Sequence, residues 1–215
     1  TNLNEENLHL KWRKKIAKGY PGPVLSDHLV FSVETKGKQE VVRAFDRKTG
    51  DQKWEAEWAG SMSVPFFAWK NGSWVRSTPV YDGENLYVGG MRDYLVCLDA
   101  ESGEKKWSVD FMERYDSPLP AFGFVCSPMV MGDHLYAQAG SGLVKLDKRT
   151  GESKWRILQV KGEKYRSAFS SPSFATIHGV KQLVVQTRTE LAGINPKNGE
   201  VLWKKPIEAY RGMNI

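Results

Sequence analysis

The sequence is poor in the residues that build metal sites and disulfide frameworks. Its 215 residues include only 2 cysteines and 4 histidines. Two thiols cannot form a disulfide framework, a four-thiolate zinc site or an iron–sulfur site. The longest apolar runs, such as residues 64–69, are far shorter than the roughly 20 residues that a membrane-spanning helix needs. No transmembrane segment is expected, and the 40% hydrophobic content predicts a folded domain.

The sequence also lacks a concentrated charge. Its 31 Lys and Arg residues against 25 Asp and Glu give a net charge of +6. A basic balance can favour acidic partners, nucleic acid included. The basic residues are scattered, however, and the longest cluster covers only residues 13–15. We therefore interpret the charge as a mildly basic, solvated surface and do not expect nucleic-acid binding.

What the sequence does contain is a fourfold repeat. Each copy has an Asp or Asn, then a turn that ends in Gly, then a Trp four residues after that Gly. The tryptophans lie 53, 48 and 48 residues apart, and they are Trp54, Trp107, Trp155 and Trp203. Repeats of this length, divided by Gly and Asp turns into four short strands, are typical of β-propeller blades. The fold class predicted is all-β, a propeller of four-stranded antiparallel blades.

The repeat sets the expected blade boundaries. About four blades are present, at residues 19–58, 74–111, 122–158 and 168–207. In the third copy the strands are expected at 126–130, 134–139, 143–146 and 153–158. The Gly that closes each last turn is expected to adopt a left-handed backbone. Each Trp is expected on a fourth strand, packed between neighbouring blades. No segment has a sustained helical period.

These repeats resemble the PQQ-like repeat family, whose signature is a strand that ends in Asp followed by x-x-Thr-Gly-x-x-x-Trp. The family includes the quinoprotein alcohol dehydrogenases and BamB. The resemblance implies a ring of eight blades, and it implies export to the periplasm or cell envelope. The chain is then expected to be part of a ring, with an outer strand from another blade at 10–16 and the start of a further blade at 210–215. A closed four-bladed ring and a ring completed by two chains are the alternatives. An incomplete ring would expose apolar blade faces and favour self-association.

No catalytic, cofactor-binding or metal-binding residue is predicted. His28, His134 and His178 lie in equivalent turns of different blades, where they would be well separated. The quinoprotein dehydrogenases typically have an adjacent cysteine pair over their cofactor, whereas Cys97 and Cys126 lie far apart in this sequence. No cofactor is therefore expected. PQQ with calcium belongs to an alternative in which the chain is part of an oxidoreductase with its active-site residues in other blades.

The connections between blades are long and aromatic. In a propeller they share one face with the turns between second and third strands. Trp, Tyr and Arg are enriched at binding hot spots, which favours a protein or peptide partner on this face. The predicted partner-binding residues are Phe66, Phe67, Trp69, Trp74, Arg114, Tyr115, Tyr165, Arg166, Tyr210 and Arg211. The function predicted is a non-catalytic binding or scaffolding module, and a propeller that binds polysaccharide or another acidic polymer is a further alternative. Packing of these side chains against neighbouring loops is the competing explanation.

Overall fold

The computed structural model describes residues 8–160 and 168–207, which form four separate four-stranded antiparallel sheets. Blade 1 contains β1 (Val24–Leu25), β2 (Leu29–Lys36), β3 (Gln39–Asp46) and β4 (Gln52–Ala59). Blade 2 contains β5 (Val80–Tyr81), β6 (Asn85–Gly90), β7 (Tyr94–Asp99) and β8 (Lys105–Asp110). Blade 3 contains β9 (Met129–Met131), β10 (His134–Ala139), β11 (Gly142–Asp147) and β12 (Ser153–Ile157). Blade 4 contains β13 (Ser173–Ile177), β14 (Val180–Gln186), β15 (Glu190–Ile194) and β16 (Val201–Pro206).

The strands follow one another in each sheet, so each blade is a simple meander. This confirms the predicted propeller blades. In blade 3 the second strand has the expected bounds, whereas the first strand begins three residues later than predicted. The predicted start of a further blade at 210–215 lies outside the described residues.

The meander sorts the connections onto two opposite faces. The turns between first and second strands and between third and fourth strands lie on one face, which we call the turn face. The connections between blades and the turns between second and third strands lie on the other, which we call the loop face. The charged and aromatic residues of the turn face can therefore be compared with those of the loop face.

The repeated turns are built as their residues predict. The Oδ1 atom of Asp46 accepts hydrogen bonds from the backbone nitrogens of Lys48 and Thr49, at 2.9 and 3.0 Å. The Gly that ends each turn has a positive φ, between 70° and 79°, at Gly50, Gly103, Gly151 and Gly199. A left-handed backbone is reached most easily by glycine, so the repeat conserves this residue type at all four turns.

The repeated tryptophans join neighbouring blades. Trp54 is 9% exposed, and its indole nitrogen donates a hydrogen bond of 3.0 Å to the carbonyl oxygen of Ala100 in blade 2. Trp107 does the same to Lys148 in blade 3, at 3.1 Å. The prediction that these tryptophans pack between blades is confirmed at both interfaces.

The expected outer strand at 10–16 is not formed, since no strand is assigned before Val24 among the described residues. Trp12 nevertheless lies where a neighbouring blade's tryptophan would lie. Its indole nitrogen donates to the carbonyl oxygen of Arg47 at 3.0 Å, and its ring covers Gly50. The segment is held through this side chain instead of through a ladder of backbone hydrogen bonds.

Two short helices lie in the described parts of the connections between blades. A 3₁₀ helix spans Phe66–Asn71, and α1 spans Phe111–Tyr115. Asp110 caps α1, because its side chain accepts hydrogen bonds from the backbone nitrogens of Met112 and Glu113. Neither helix was predicted, since five or six residues are too few to show a helical period. Among the described residues no helix is long and apolar enough to cross a membrane.

Candidate functional site

The connection between blades 1 and 2 exposes a group of three large aromatic side chains. Phe66 is 85% exposed, Phe67 is 52% exposed and Trp69 is 67% exposed, and all three lie in the 3₁₀ helix. We call these three residues the aromatic ridge. Contiguous exposed aromatics are unusual on a soluble surface and commonly mark an interaction site.

The ridge is anchored from below. Val64, just before the helix, and Ala68, within it, are buried at 7% and 6% exposure, so they hold the connection in place while the ridge side chains project. The backbone nitrogen of Val64 donates to the hydroxyl of Ser73 at 3.1 Å, which closes the base of the connection. The ring of Phe67 lies 6.3 Å from that of Phe122 in the next connection, in an edge-on arrangement. The ridge is therefore part of a packed loop.

Behind the ridge, cations and aromatic rings alternate. Lys18 Nζ lies 4.9 Å from the centroid of Trp74, and the Trp74 ring lies 6.0 Å from that of Tyr20. The Arg76 guanidinium lies 4.8 Å from the Tyr20 ring and 5.9 Å from the Phe122 ring. Burial lowers the pKa of Arg76. Its contacts with aromatic faces stabilise a guanidinium that is partly removed from water. Trp74, predicted to bind a partner, is half-buried in this stack and supports the ridge.

Arg114 and Tyr115 make contacts inside the protein. Arg114 Nη1 donates to the carbonyl oxygen of Gly151 at 2.6 Å and to the hydroxyl of Ser153 at 3.2 Å. The Tyr115 hydroxyl also bonds Ser153, and its ring lies 4.4 Å from the Arg156 guanidinium. These contacts tie α1 to blade 3, which gives both residues a structural role. Their predicted role in binding stays a prediction, as does that of Tyr165, Arg166, Tyr210 and Arg211, which lie outside the described residues.

Among the described residues, Glu40 and Asp93 are buried carboxyl groups beside the turns between second and third strands, and the sequence analysis missed them. Glu40 is fully buried and accepts hydrogen bonds from the backbone nitrogen of Met91 in blade 2 and from Trp58 Nε1, at 2.6 and 2.7 Å. Asp93 is 1% exposed and accepts one from the backbone nitrogen of Gly140 in blade 3, at 2.8 Å. Each carboxyl thus joins its own blade to the next.

The repeat itself could have revealed this pair. Glu40 and Asp93 each precede the turn aspartate of their blade by six residues, and the corresponding residue of blade 3 is Ser141. Burial raises the pKa of both carboxyl groups to about 7, well above their usual range. They are therefore largely neutral in mildly acidic solution and partly ionised at neutral pH.

The described residues do not fit PQQ with calcium. They contain no group of three or more His, Cys, Asp or Glu that could hold a metal ion. Cys97 and Cys126 are buried free thiols, and burial raises the pKa of each to about 12, which keeps them protonated and unreactive. A cavity lined by residues of blades 2, 3 and 4, among them Asp93, Gln138 and Thr187, has a volume of about 40 Å³, room for a few water molecules at most. We derive no chemical step through this cofactor.

A broader groove lies on the turn face between blades 1 and 2. Its volume is about 570 Å³, and it is lined by Leu25, His28, Arg47, Tyr81 and Glu101, among others. His28 Nε2 and Glu101 Oε2 lie 2.8 Å apart, but both side chains are about 60% exposed, so water screens the pair. The groove therefore has no enclosed charged group to define a ligand, and the ridge is the stronger candidate site.

Comparison with known proteins identifies relatives of two kinds. Residues 37–215 match the family model described as "Outer membrane protein assembly factor BamB". An uncharacterized protein of Rickettsia conorii is 28% identical over 184 residues, which cover 83% of this chain and 39% of that protein. The quinoprotein alcohol dehydrogenase PedH of Pseudomonas putida is 26% identical over 148 residues, which cover 64% of this chain and 24% of the enzyme.

The solved structures give the same fold. The crystal structure of BamB from Moraxella catarrhalis superposes with a TM-score of 0.58 at 18% sequence identity, covering 85% of this chain and 50% of that chain. The chain thus spans half or less of the length of the relatives it matches. A likeness at this identity establishes the architecture of the blades and leaves the role of the site to be argued from its own residues.

Proposed function

Because the chain belongs to the PQQ-like repeat family of β-propellers, we propose that it is a non-catalytic binding module of the bacterial cell envelope. One observation carries this proposal. The aromatic ridge projects three large side chains from a packed connection on the loop face, where a blade needs no such projection to close its own core. Aromatic side chains that are rigid before binding lose little entropy on binding, so they suit the centre of a docking surface.

Support for the location comes from the family. Its model is described as "Outer membrane protein assembly factor BamB", a name that supports an envelope location and a protein partner. We therefore place this chain in the envelope and assign it a protein partner. The loop face suits a scaffold because its connections vary in length and composition while the strands are fixed by packing.

Redox catalysis is the second candidate, and the similarity to PedH favours it. Under this alternative the active-site residues lie in other blades, and the chain shown supplies structural support. The described residues of this chain offer neither an adjacent cysteine pair nor converging carboxylates for the cofactor. The binding role accounts for the ridge, whereas the redox role leaves it unexplained.

The experiment compares two double variants of the exported, affinity-tagged protein after chemical cross-linking in intact cells. Phe66→Ser with Trp69→Ser removes most of the ridge. Met131→Ser with Val180→Ser is the matched control, because these side chains are 39% and 50% exposed on the turn face. We expect the ridge variant to lose a discrete cross-linked partner that the parent and the control retain, with all three proteins melting within about 2 °C of one another. Equal loss from both variants, or unfolding of the ridge variant, would contradict the proposal.

A further inference from the structure

The connection that carries the ridge, together with the two turns beside it, exposes cations and no carboxylate. The connection from residue 60 to residue 79 contains no Asp or Glu, and it contains Lys70 and Arg76. The neighbouring turns between second and third strands add exposed Lys38 and Arg92. These turns lie against the connection, since the carbonyl oxygen of Lys38 accepts from the backbone nitrogen of Gly60 at 3.2 Å.

Two of the carboxyl groups at this face are hidden, whereas Glu113 and Asp116, in the next connection, are exposed. Glu40 and Asp93 follow the same two turns, but both are buried and both are held by backbone groups of the next blade. Burial also keeps them partly protonated near neutral pH. They therefore contribute little negative potential at the surface around the ridge, and the cations there are not cancelled.

The opposite face has the reverse character. Its turns carry exposed carboxylates, among them Asp27, Asp51, Glu101, Asp133, Glu152 and Glu200. Many of the cations there are engaged with these groups, as Lys154 is with Glu152 at 2.8 Å. The turn face thus exposes charges of both signs with carboxylates in excess, whereas the connection and the turns around the ridge expose cations without carboxylates.

From this juxtaposition we infer that the ridge binds an acidic peptide segment of a protein partner. The apolar side chains of that segment lie on Phe66, Phe67 and Trp69. Its carboxylates lie beside Lys38, Lys70 and Arg92. The inference rests on the proposed docking role of the ridge and adds the chemical class of what docks there. Aromatic contacts supply the affinity, and the cations select partner charge and speed the encounter. A surface of anionic lipids also presents negative charge beside apolar groups, and the test below distinguishes it from a peptide.

The probe is a short fluorescein-labelled peptide in which Glu flanks Phe and Leu, compared with a counterpart that has Lys in place of every Glu. Fluorescence anisotropy should show binding of the acidic peptide that weakens as salt is raised, and at least about tenfold weaker binding of the basic one. Lys38→Glu with Lys70→Glu should weaken acidic-peptide binding about tenfold or more. Lys48→Glu with Lys197→Glu changes net charge equally on the turn face and should have an effect of less than about twofold.

Several outcomes would overturn the inference. One is equal binding of both peptides, and another is an equal effect of the two charge reversals. A third is that the protein binds neither peptide but sediments with phosphatidylglycerol vesicles, and that Lys38→Glu with Lys70→Glu abolishes this sedimentation. The failure of the proposed function is distinguishable from these. If the loop face does not dock a partner, the ridge variant keeps its cross-linked partner. If only the charge assignment is wrong, the ridge variant still loses that partner, and Lys38→Glu with Lys70→Glu leaves the cross-linking unchanged.

Discussion

The indole nitrogen of Trp54 lies 3.0 Å from the carbonyl oxygen of Ala100, so a side chain at the edge of blade 1 is fixed to a turn of blade 2. Its ring also covers Gly103, where a Cβ atom would come within 2.5 Å of Trp54 Cε3. The same relationship recurs between Trp107 and Gly151. At these two interfaces, therefore, the tryptophan ring of one blade packs directly on a glycine of the next blade.

Replacing Trp54 with Ala should destabilise the protein by about 3–5 kcal/mol, because a nearly buried aromatic is removed from the contact between two blades. Trp54→Phe keeps most of the apolar contact and loses the hydrogen bond, so it should cost about 1–2 kcal/mol. Denaturant unfolding of the parent and both variants measures this. A loss below about 1 kcal/mol for the Ala variant would mean that the contact between the blades does not depend on this ring.

Gly103→Ala should be more damaging than Gly132→Ala. Both glycines have a positive φ, 76° and 58°, so both substitutions carry a similar backbone penalty of about 1 kcal/mol. Only at Gly103 would the new methyl group meet the Trp54 ring, since nothing lies within 4 Å of a Cβ at Gly132. The difference in unfolding free energy should be about 1–3 kcal/mol. Equal losses would show that the turn yields and that the tryptophan contact is loose.

Stability should fall as pH rises from about 5 to about 8. Burial raises the folded-state pKa of Glu40 and of Asp93 to about 7, well above the usual range of a carboxyl group. A raised folded pKa means that the native state holds protons which the unfolded state has released, so the stabilisation is present at acid pH and is lost through neutral pH. Over this pH range, ionisation of each group should lower the free energy of unfolding by up to about 3 kcal/mol.

Asp93→Asn isolates one of the two groups. Asn cannot ionise, and its side-chain oxygen can still accept from the backbone nitrogen of Gly140, which is the hydrogen bond recorded for Asp93. The variant should therefore be close to the parent at pH 5 and more stable than it at pH 8. Unfolding curves at both pH values check this. A variant that is equally destabilised at both would show that the Asp93 carboxyl is ionised in the native protein.

Arg114→Ala should destabilise the protein by about 1–2 kcal/mol, because it removes charged hydrogen bonds from α1 to Gly151 and Ser153. Arg149→Ala is the matched control, since this side chain is 73% exposed and lies 3.8 Å from Asp147. It should cost less than about 0.5 kcal/mol. If Arg114→Ala leaves stability unchanged and instead removes partner binding, the original assignment of Arg114 to the docking surface is right.

The sequence predicted the blades because the repeat reports local turn chemistry. Asp46 and Gly50 determine their turn through one side chain and one left-handed backbone, both readable from residue type. The residues 10–16 show the limit of that reasoning. Their pattern predicted an outer strand, but backbone pairing depends on a neighbouring strand, which pattern alone does not provide. The contact of the Trp12 ring with Gly50 was not predicted.

The candidate site was predicted less completely, for a related reason. The sequence placed Phe66, Phe67 and Trp69 in a long aromatic connection, and the structure shows Phe66 and Trp69 exposed. Arg114 and Tyr115 had the same hot-spot composition, yet they bond to blade 3. Composition cannot distinguish a side chain that faces a partner from one that faces its own neighbour. Glu40 and Asp93 lie six residues before the repeated turn, where blade 3 has Ser141, so the signature shared by the four copies does not include them.

Site-specific photo-cross-linking tests the docking role of the ridge most directly. A benzophenone amino acid is placed at position 69 on the loop face, or at position 180 on the turn face, in the exported protein in living cells. Both positions are at least half exposed, so both are equally able to report a neighbour. We predict a discrete adduct with one protein partner from position 69 and none from position 180. Adducts of equal yield from both positions, or an adduct from position 180 alone, would contradict the assignment of the ridge as the docking site.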